Sequence, residues 1–134
     1  MIQASCECGK VRFQFPTARK EITVCHCSQC RKTSGHLWAA TRTDFDSLHF
    51  EAQDTLTWYQ SSPAARRGFC AACGSSLFYQ INGESGVAIA AGCLDSAPED
   101  FHIAKHIYAQ DKGTYYEIND PVSVFANHAP TVST

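Results

Sequence analysis

Seven of the eight cysteines of this chain lie in three short clusters, and their spacing restricts what the chain can fold into. The clusters are Cys6-Glu7-Cys8, a second running from Cys25 to Cys30, and Cys70-Ala71-Ala72-Cys73. Thiolates spaced this closely converge on a soft metal ion, and zinc with its tetrahedral sulfur sites is the usual one. The two pairs together complete one four-sulfur cage, whereas the triplet leaves a second ion one ligand short.

The two cysteine pairs share a local pattern, because Gly9 follows Cys8 and Gly74 follows Cys73. Glycine adopts a positive φ without steric cost, so each pair is expected to form a tight turn whose backbone N–H groups point at the sulfurs. Four unligated core cysteines would rarely show this spacing. The pattern therefore predicts two matching knuckles that share one closed, structural zinc site, with the ligands Cys6, Cys8, Cys70 and Cys73.

The triplet Cys25, Cys27 and Cys30 lacks such a glycine, and three interpretations of it stay open. It forms an open catalytic zinc site, a second closed site completed by Cys93 or a histidine, or a redox-active thiol cluster without metal. A small buried residue is the more ordinary role for Cys93. His26 is expected to point away from the ion, and the pair His102 and His106 to be structural or solvent-facing.

Length and composition favour one globular domain over residues 1–134, with a flexible tail over residues 126–134. The apolar fraction of 44% and the charged fraction of 18% are too ordinary for a disordered chain. The net charge is −2 and no run of Lys or Arg exceeds two residues, so a nucleic acid is not an expected partner.

Short alternating segments predict a mostly β fold with little helix. Residues 10–15 alternate polar and apolar side chains, and Asn82-Gly83 is a strong hairpin turn signal. A single helical turn is expected over residues 28–34. The remaining predicted strands cover residues 21–24, 37–41, 47–50, 55–59, 67–69, 76–81, 87–91 and 103–108, with a weaker one at 115–118.

The beginning of the chain carries no basic and apolar leader, and its longest apolar run is too short to cross a bilayer. We therefore expect a cytoplasmic protein without a membrane partner. Thiols stay reduced in that compartment, which favours metal binding over disulfide bonds for the clustered cysteines.

The motifs as a set resemble the glutathione-dependent formaldehyde-activating enzymes, a family grouped with centromere protein V. The resemblance extends from about residue 6 to residue 125, and the cysteine spacing makes it specific. The matching motifs are Cys6-x-Cys8-Gly9-x-Val11, Cys25-His26-Cys27-Ser28-x-Cys30-Arg31-Lys32-x-Ser34-Gly35, Arg67-x-Phe69-Cys70-x-x-Cys73-Gly74-Ser75, Gly92-x-Leu94-Asp95, and then His106-Ile107, Lys112 and Tyr116-x-Ile118-x-Asp120.

The resemblance implies a small zinc-stapled fold of stacked antiparallel sheets with two zinc ions per chain. Cys6, Cys8, Cys70 and Cys73 would hold the structural ion, and Cys25, Cys27 and Cys30 the catalytic one. If Cys93 reached the second ion, the open position would be lost.

The implied reaction is that of a carbon–sulfur lyase, which reversibly joins glutathione or a similar small-molecule thiol to formaldehyde or a related small aldehyde. Arg31 and Lys32 either pair with glutathione carboxylates or are solvated surface charges, and the sequence favours neither role. No side chain stands out as a general base. The alternatives are a non-catalytic zinc-stapled binding module and, less favoured by the sequence, a metal-responsive or redox sensor.

Overall fold

The computed structural model of the chain describes residues 1–128. Three short 3₁₀ helices cover Phe45–Ser47, Ala91–Cys93 and Ala109–Asp111. No helix in the described part has the length and apolar character needed to cross a membrane. The regular elements are β1 (Ile2–Ser5), β2 (Arg12–Phe15), β3 (Glu21–Cys25), α1 (Ser28–Ser34), β4 (Trp38–Asp44), β5 (His49–Ala52), β6 (Leu56–Gln60), β7 (Ala65–Cys70), β8 (Ser76–Ile81), β9 (Gly86–Ala90), β10 (His102–Ile107) and β11 (Ser123–Val124).

The strands form two stacked sheets, which confirms the prediction of a mostly β fold. The smaller sheet has the order β1-β2-β5 and is antiparallel throughout. The larger sheet has the order β11-β10-β3-β4-β9-β8-β7-β6. Two of its pairings, β10 with β3 and β10 with β11, are parallel, so the expectation of purely antiparallel sheets holds only in part.

The core lies between the sheets and is dominated by phenylalanines. Phe13 and Phe15 of β2 alternate with polar neighbours and are almost fully buried, as the sequence pattern predicted. The ring of Phe13 lies 5.0 Å from that of Phe78 of β8, and the ring of Trp58 of β6 stacks on Phe78 at 5.6 Å. Burial of such rings supplies much of the apolar stabilisation that holds the two sheets together.

The sequence patterns located most elements but not all of them. The strand at residues 76–81 and the helical turn at 28–34 appear as β8 and α1, and Gly83 has the positive φ expected of the hairpin turn. The predicted strand at residues 115–118 is wrong. There the carbonyl of Tyr116 accepts a hydrogen bond from Lys112 Nζ (2.6 Å) instead of a neighbouring strand.

The end of the described chain is hydrogen-bonded to the segment that follows β10. The N–H groups of Tyr108 and Gln110 donate to the carbonyls of Asn127 and Ala126. The rest of the predicted tail, residues 129–134, lies outside the described residues.

Gly68 of β7 is required by close packing. A Cβ there would lie 2.8 Å from Cδ2 of Phe78 and 3.1 Å from Trp58. We predict that Gly68→Ala lowers the free energy of unfolding by roughly 1–3 kcal/mol, because overpacking a filled core forces side chains off their rotamers. Chemical denaturation measures this change.

Gly92→Ala is the matched control, since a Cβ at Gly92 meets no atom within 4 Å and the residue lacks a positive φ. Equal stability of the two variants would contradict the account of the core.

Candidate metal centres

The structure brings the two cysteine pairs together. The Sγ atoms of the four residues lie within 4.8 Å of one another, an arrangement able to hold a metal ion. The sulfurs of Cys6 and Cys8 are 3.6 Å apart, and those of Cys8 and Cys70 are 3.8 Å apart. A tetrahedron with zinc–sulfur distances of about 2.3 Å has sulfur–sulfur edges of about 3.8 Å, so this donor set fits zinc in chemistry and in size.

Each pair lies in the turn of a hairpin, and the two turns are built alike. Gly9 N–H donates to the carbonyl of Cys6 (3.1 Å), and Gly74 N–H donates to the carbonyl of Cys70 (2.7 Å). Both glycines have the predicted positive φ, +79° and +82°. The turns connect β1 to β2 and β7 to β8, so the four sulfurs join a hairpin of the smaller sheet to one of the larger sheet.

Hydroxyl groups next to the four-cysteine group favour thiolates. Ser75 Oγ lies 3.2 Å from Cys73 Sγ, and Thr55 Oγ1 lies 3.2 Å from Cys70 Sγ. The hydrogen bond from Ser75, followed by those from nearby backbone N–H groups, lowers the pKa of Cys73 to about 5. Ser75 Oγ also accepts from the N–H of Glu7 (3.0 Å), which links the two turns directly.

The triplet is assembled from one continuous segment at the end of β3. Cys25 is the last residue of β3, Cys27 is the N-cap of α1, and Cys30 is buried within α1. Cys27 Sγ accepts the N–H of Cys30 at 3.3 Å, as capping side chains do. The three Sγ atoms lie within 4.8 Å of one another, so this group also offers a metal-binding face.

Within residues 1–128, no fourth cysteine, histidine or carboxylate joins the triplet. Cys93 lies in neither group; burial, followed by the charge of Asp95, raises its pKa to about 12. Both ring nitrogens of His26 are hydrogen-bonded, one to Tyr116 and the other to His106. The structure therefore offers neither Cys93 nor His26 as the fourth ligand.

A buried arginine faces the triplet. Arg67 of β7 is 6% exposed, lies over the rings of Trp38 and Tyr79, and forms no ion pair with any carboxylate in the described chain. Its Nη2 donates to Cys30 Sγ (3.3 Å) and its Nε to Gln29 Oε1 (2.8 Å). Because a buried cation requires a compensating anion, the position of Arg67 indicates negative charge on the cysteines.

The thiols of the triplet differ in acidity when no metal is bound. The pKa of Cys30 is lowered to about 6, first by its hydrogen bond with Cys25 and then by the guanidinium of Arg67. The same hydrogen bond, together with burial, raises the pKa of Cys25. Cys30 is therefore the first of the two to become a thiolate, the form that metals bind.

His26, between Cys25 and Cys27, belongs to a hydrogen-bonded chain of four polar side chains that ends at the surface. Tyr116 Oη lies 2.5 Å from His26 Nδ1, His26 Nε2 lies 2.8 Å from His106 Nδ1, and His106 Nε2 lies 2.9 Å from both carboxylate oxygens of Asp120. Burial lowers the pKa of His26 and raises that of Tyr116, whereas the hydrogen bond from His106 lowers the pKa of Asp120. These directions give a carboxylate at one end and a protonated phenol at the other.

Sequence reasoning missed this chain. It treated His26 and His106 separately, and they lie 80 positions apart. The parallel pairing of β10 with β3 brings them together by placing His106 opposite Val24, two residues before His26. Both histidines lie within the motifs that carry the family resemblance. Their presence in those motifs was the sequence signal that could have pointed to them.

The structure has a sizeable cavity, which does not contain the triplet. It has a volume of about 710 Å³ and lies between the Cys6 turn and the end of α1, with Ser34, Trp38 and Cys93 in its wall. None of Cys25, Cys27 and Cys30 lines it. Its size suits a small ligand, but its position gives it no direct part in chemistry at the triplet.

Comparisons with known proteins show the family of the chain and its fold. Residues 1–111 match the family model described as glutathione-dependent formaldehyde-activating enzyme. A protein of Schizosaccharomyces pombe named as an uncharacterized lyase is 26% identical over 125 residues, which cover 92% of this chain and 89% of that protein. A crystal structure of a Rhodobacter sphaeroides protein has a TM-score of 0.61 at 22% identity, covering 73% of this chain and 92% of the other, and shows the same fold.

The two cysteine groups are expected to respond differently to mutation. Cys73→Ser should reduce bound zinc from about two ions to about one per chain and unfold the domain, because structural zinc contributes roughly 10–16 kcal/mol of apparent binding free energy coupled to folding. Metal analysis and circular dichroism measure both effects.

Cys27→Ser is the variant to compare with Cys73→Ser, because the triplet comes from one segment and does not connect distant strands. This variant should also lose about one zinc ion but keep its β-sheet spectrum. Unfolding of both variants to the same extent would show that the division into two kinds of site is wrong.

Proposed function

The chain belongs to the glutathione-dependent formaldehyde-activating enzyme family, and from that premise we propose that it is a zinc-dependent carbon–sulfur lyase. It reversibly joins a thiol such as glutathione to formaldehyde or a related small aldehyde. The observation that carries the proposal is the unequal grouping of the cysteines, four in one group and three in the other. A three-ligand site with a free position is typical of catalytic zinc, and a four-ligand site of structural zinc.

The residues present fit two zinc ions. Cys6, Cys8, Cys70 and Cys73 would hold the structural ion, and Cys25, Cys27 and Cys30 the catalytic one. Zinc with an open position lowers the pKa of a thiol that reaches it and so supplies a thiolate nucleophile at neutral pH.

The first task of the protein around the triplet is to balance charge. Three thiolates and a substrate thiolate carry four negative charges, more than one divalent ion neutralises. Arg67 adds a fixed positive charge through its hydrogen bond to Cys30. Because Trp38 and Tyr79 hold the guanidinium away from water, this charge acts strongly on the site.

The second task is to recognise the thiol. Glutathione carries two carboxylates, and Arg31 and Lys32 lie on α1 directly after Cys30. Arg31 is half-buried and its Nε has no hydrogen-bond partner within residues 1–128, whereas Lys32 is exposed. We assign these two side chains to the substrate carboxylates, with Arg31 as the more directional partner.

The free state of all eight cysteines suits a reducing compartment such as the cytoplasm, where we place the reaction.

Turnover is the direct test. Thiols add to formaldehyde without a catalyst, so exchange between glutathione and its hydroxymethyl adduct should be measured by NMR against that background. We predict exchange above background for the zinc-loaded protein and only background exchange for Cys27→Ser. Two bound zinc ions without any acceleration would instead favour a non-catalytic, zinc-stapled binding module.

Arg67→Met tests the charge balance. Loss of the guanidinium should weaken the second zinc site or lower kcat/KM by roughly 10–100-fold, as loss of groups that support metal ligands usually does. Chelator competition and exchange kinetics measure the two effects.

Arg66→Met is the matched control, because the Arg66 guanidinium lies 3.8 Å from the Trp58 ring on the other face of β7 and contacts no cysteine of the triplet. Wild-type zinc affinity and turnover in Arg67→Met would refute the role assigned to this charge.

A further inference from the structure

The proposed function leaves unassigned the group that handles the proton of the aldehyde oxygen. We propose that Tyr116 is the acid–base residue of the reaction and that His26, His106 and Asp120 form a proton relay behind it. This inference rests on the proposed function, because it supplies the proton transfer that carbon–sulfur bond cleavage requires.

The hydrogen bonds among these side chains determine which ring nitrogens carry a proton. Asp120 is an acceptor only, so His106 donates from Nε2 and its Nδ1 must accept. His26 then donates from Nε2 to His106, and its Nδ1 accepts from the hydroxyl of Tyr116. The carboxylate therefore fixes the tautomer of both rings, as the aspartate does for one ring in a catalytic triad.

Tyr116 contacts the segment that carries the triplet through the ring of His26. His26 lies between Cys25 and Cys27, and its backbone N–H donates to the carbonyl of Ile107 (3.1 Å). The ring of Tyr116 stacks on that of His26 and meets the edge of the His36 ring at 4.7 Å. Tyr116 therefore lies beside His26, which is flanked by Cys25 and Cys27, and beside His36, the residue after the C-cap of α1.

The proposed relay leads from the protein interior to its surface. His26 has no exposed surface and His106 is 6% exposed, whereas the Asp120 side chain is 36% exposed. Burying polar rings costs free energy unless every nitrogen is paired, and here each one is. The chain thus connects Tyr116, through two buried histidine rings, to a solvent-accessible carboxylate.

The proposed step balances in the direction of cleavage. The substrate hydroxyl gives its proton to Tyr116 Oη, Tyr116 gives its own proton to His26 Nδ1, and His26 passes its Nε2 proton to His106 Nδ1. The electron pair of the O–H bond forms the carbonyl, the carbon–sulfur bond breaks, and the sulfur leaves with its electron pair. Asp120 stabilises the imidazolium of His106 until that proton reaches solvent. Synthesis runs through the same transfers in reverse.

The protein contains a matched control for the acid–base role of Tyr116. Tyr115 Oη lies 2.5 Å from His36 Nδ1, so it also forms a histidine–tyrosine pair, but Tyr115 is 69% exposed and His36 is exposed as well. Tyr115→Phe and Tyr116→Phe each remove one hydroxyl group and keep the ring.

The kinetic test compares these variants and Asp120→Asn under saturating thiol. Tyr116→Phe should lower kcat by about 100-fold or more, the usual contribution of a general acid or base. Its KM and zinc content should stay close to wild type, and its kcat should lose the solvent deuterium isotope effect. Asp120→Asn should lower kcat in the same way, by about tenfold or more, because the tautomers are no longer fixed.

The outcomes separate the two proposals. An active wild type with an equally active Tyr116→Phe variant, or an equal loss in Tyr115→Phe, overturns the relay and leaves the lyase function standing. An inactive wild type overturns both.

A readout independent of activity is the histidine ¹⁵N NMR spectrum at about pH 8.5, well above the ordinary histidine pKa of about 6.5. The relay predicts that both His26 and His106 carry the proton on Nε2. It also predicts that the Nδ1 signal of His26 shifts in Tyr116→Phe but not in Tyr115→Phe. A His26 ring protonated on Nδ1 contradicts the proposed order.

Discussion

The convergence of four cysteines from two hairpin turns is the constraint on which the rest of this structure depends. One turn joins β1 to β2 in the smaller sheet, and the other joins β7 to β8 in the larger sheet. An ion held by all four sulfurs would therefore connect the two sheets at one end of the phenylalanine core. Hydrophobic packing of Phe13 against Phe78 holds the sheets together along their faces, and the sulfurs fix their relative position. In a chain of this size, a single site of this kind contributes as much as many whole domains gain on folding.

The second cysteine group has the same spacings as the two pairs, with one residue between Cys25 and Cys27 and two between Cys27 and Cys30. Its local structure is different. It lies where β3 passes into α1, so its three sulfurs are positioned by a strand end, a helix cap and one helical turn. The large sheet then supplies the surroundings from two directions: β7 brings Arg67 to Cys30, and β10 brings His106 to His26. In the proposed function, one side provides a fixed positive charge and the other a path for protons. The proposed roles thus place the structural ion and the chemistry at separate sites.

The sequence was informative wherever the structure depends on local chemistry. Cysteine spacing and the glycines at positions 9 and 74 predicted the turns, and the alternation in β2 predicted a half-buried strand. Contacts between distant segments were not predictable in this way. The parallel pairing of β10 with β3 has no local signature, and it is interrupted between Ile103 and Lys105, so His102 is exposed while His106 is buried. Residues 115–118 resemble a strand because two tyrosines and an isoleucine favour β structure. In the structure the tyrosine rings pack on histidines instead, and these residues form no strand.

In the proposed function, one zinc ion is enclosed by four protein sulfurs and a second ion keeps one coordination position free. X-ray absorption spectroscopy of the fully loaded protein counts the sulfur atoms around zinc directly. The account predicts two ions per chain with an average of about 3.5 sulfurs each, rising to about 4 when glutathione is added. An average of about 4 before any thiol is added, or a value that glutathione does not change, would contradict it.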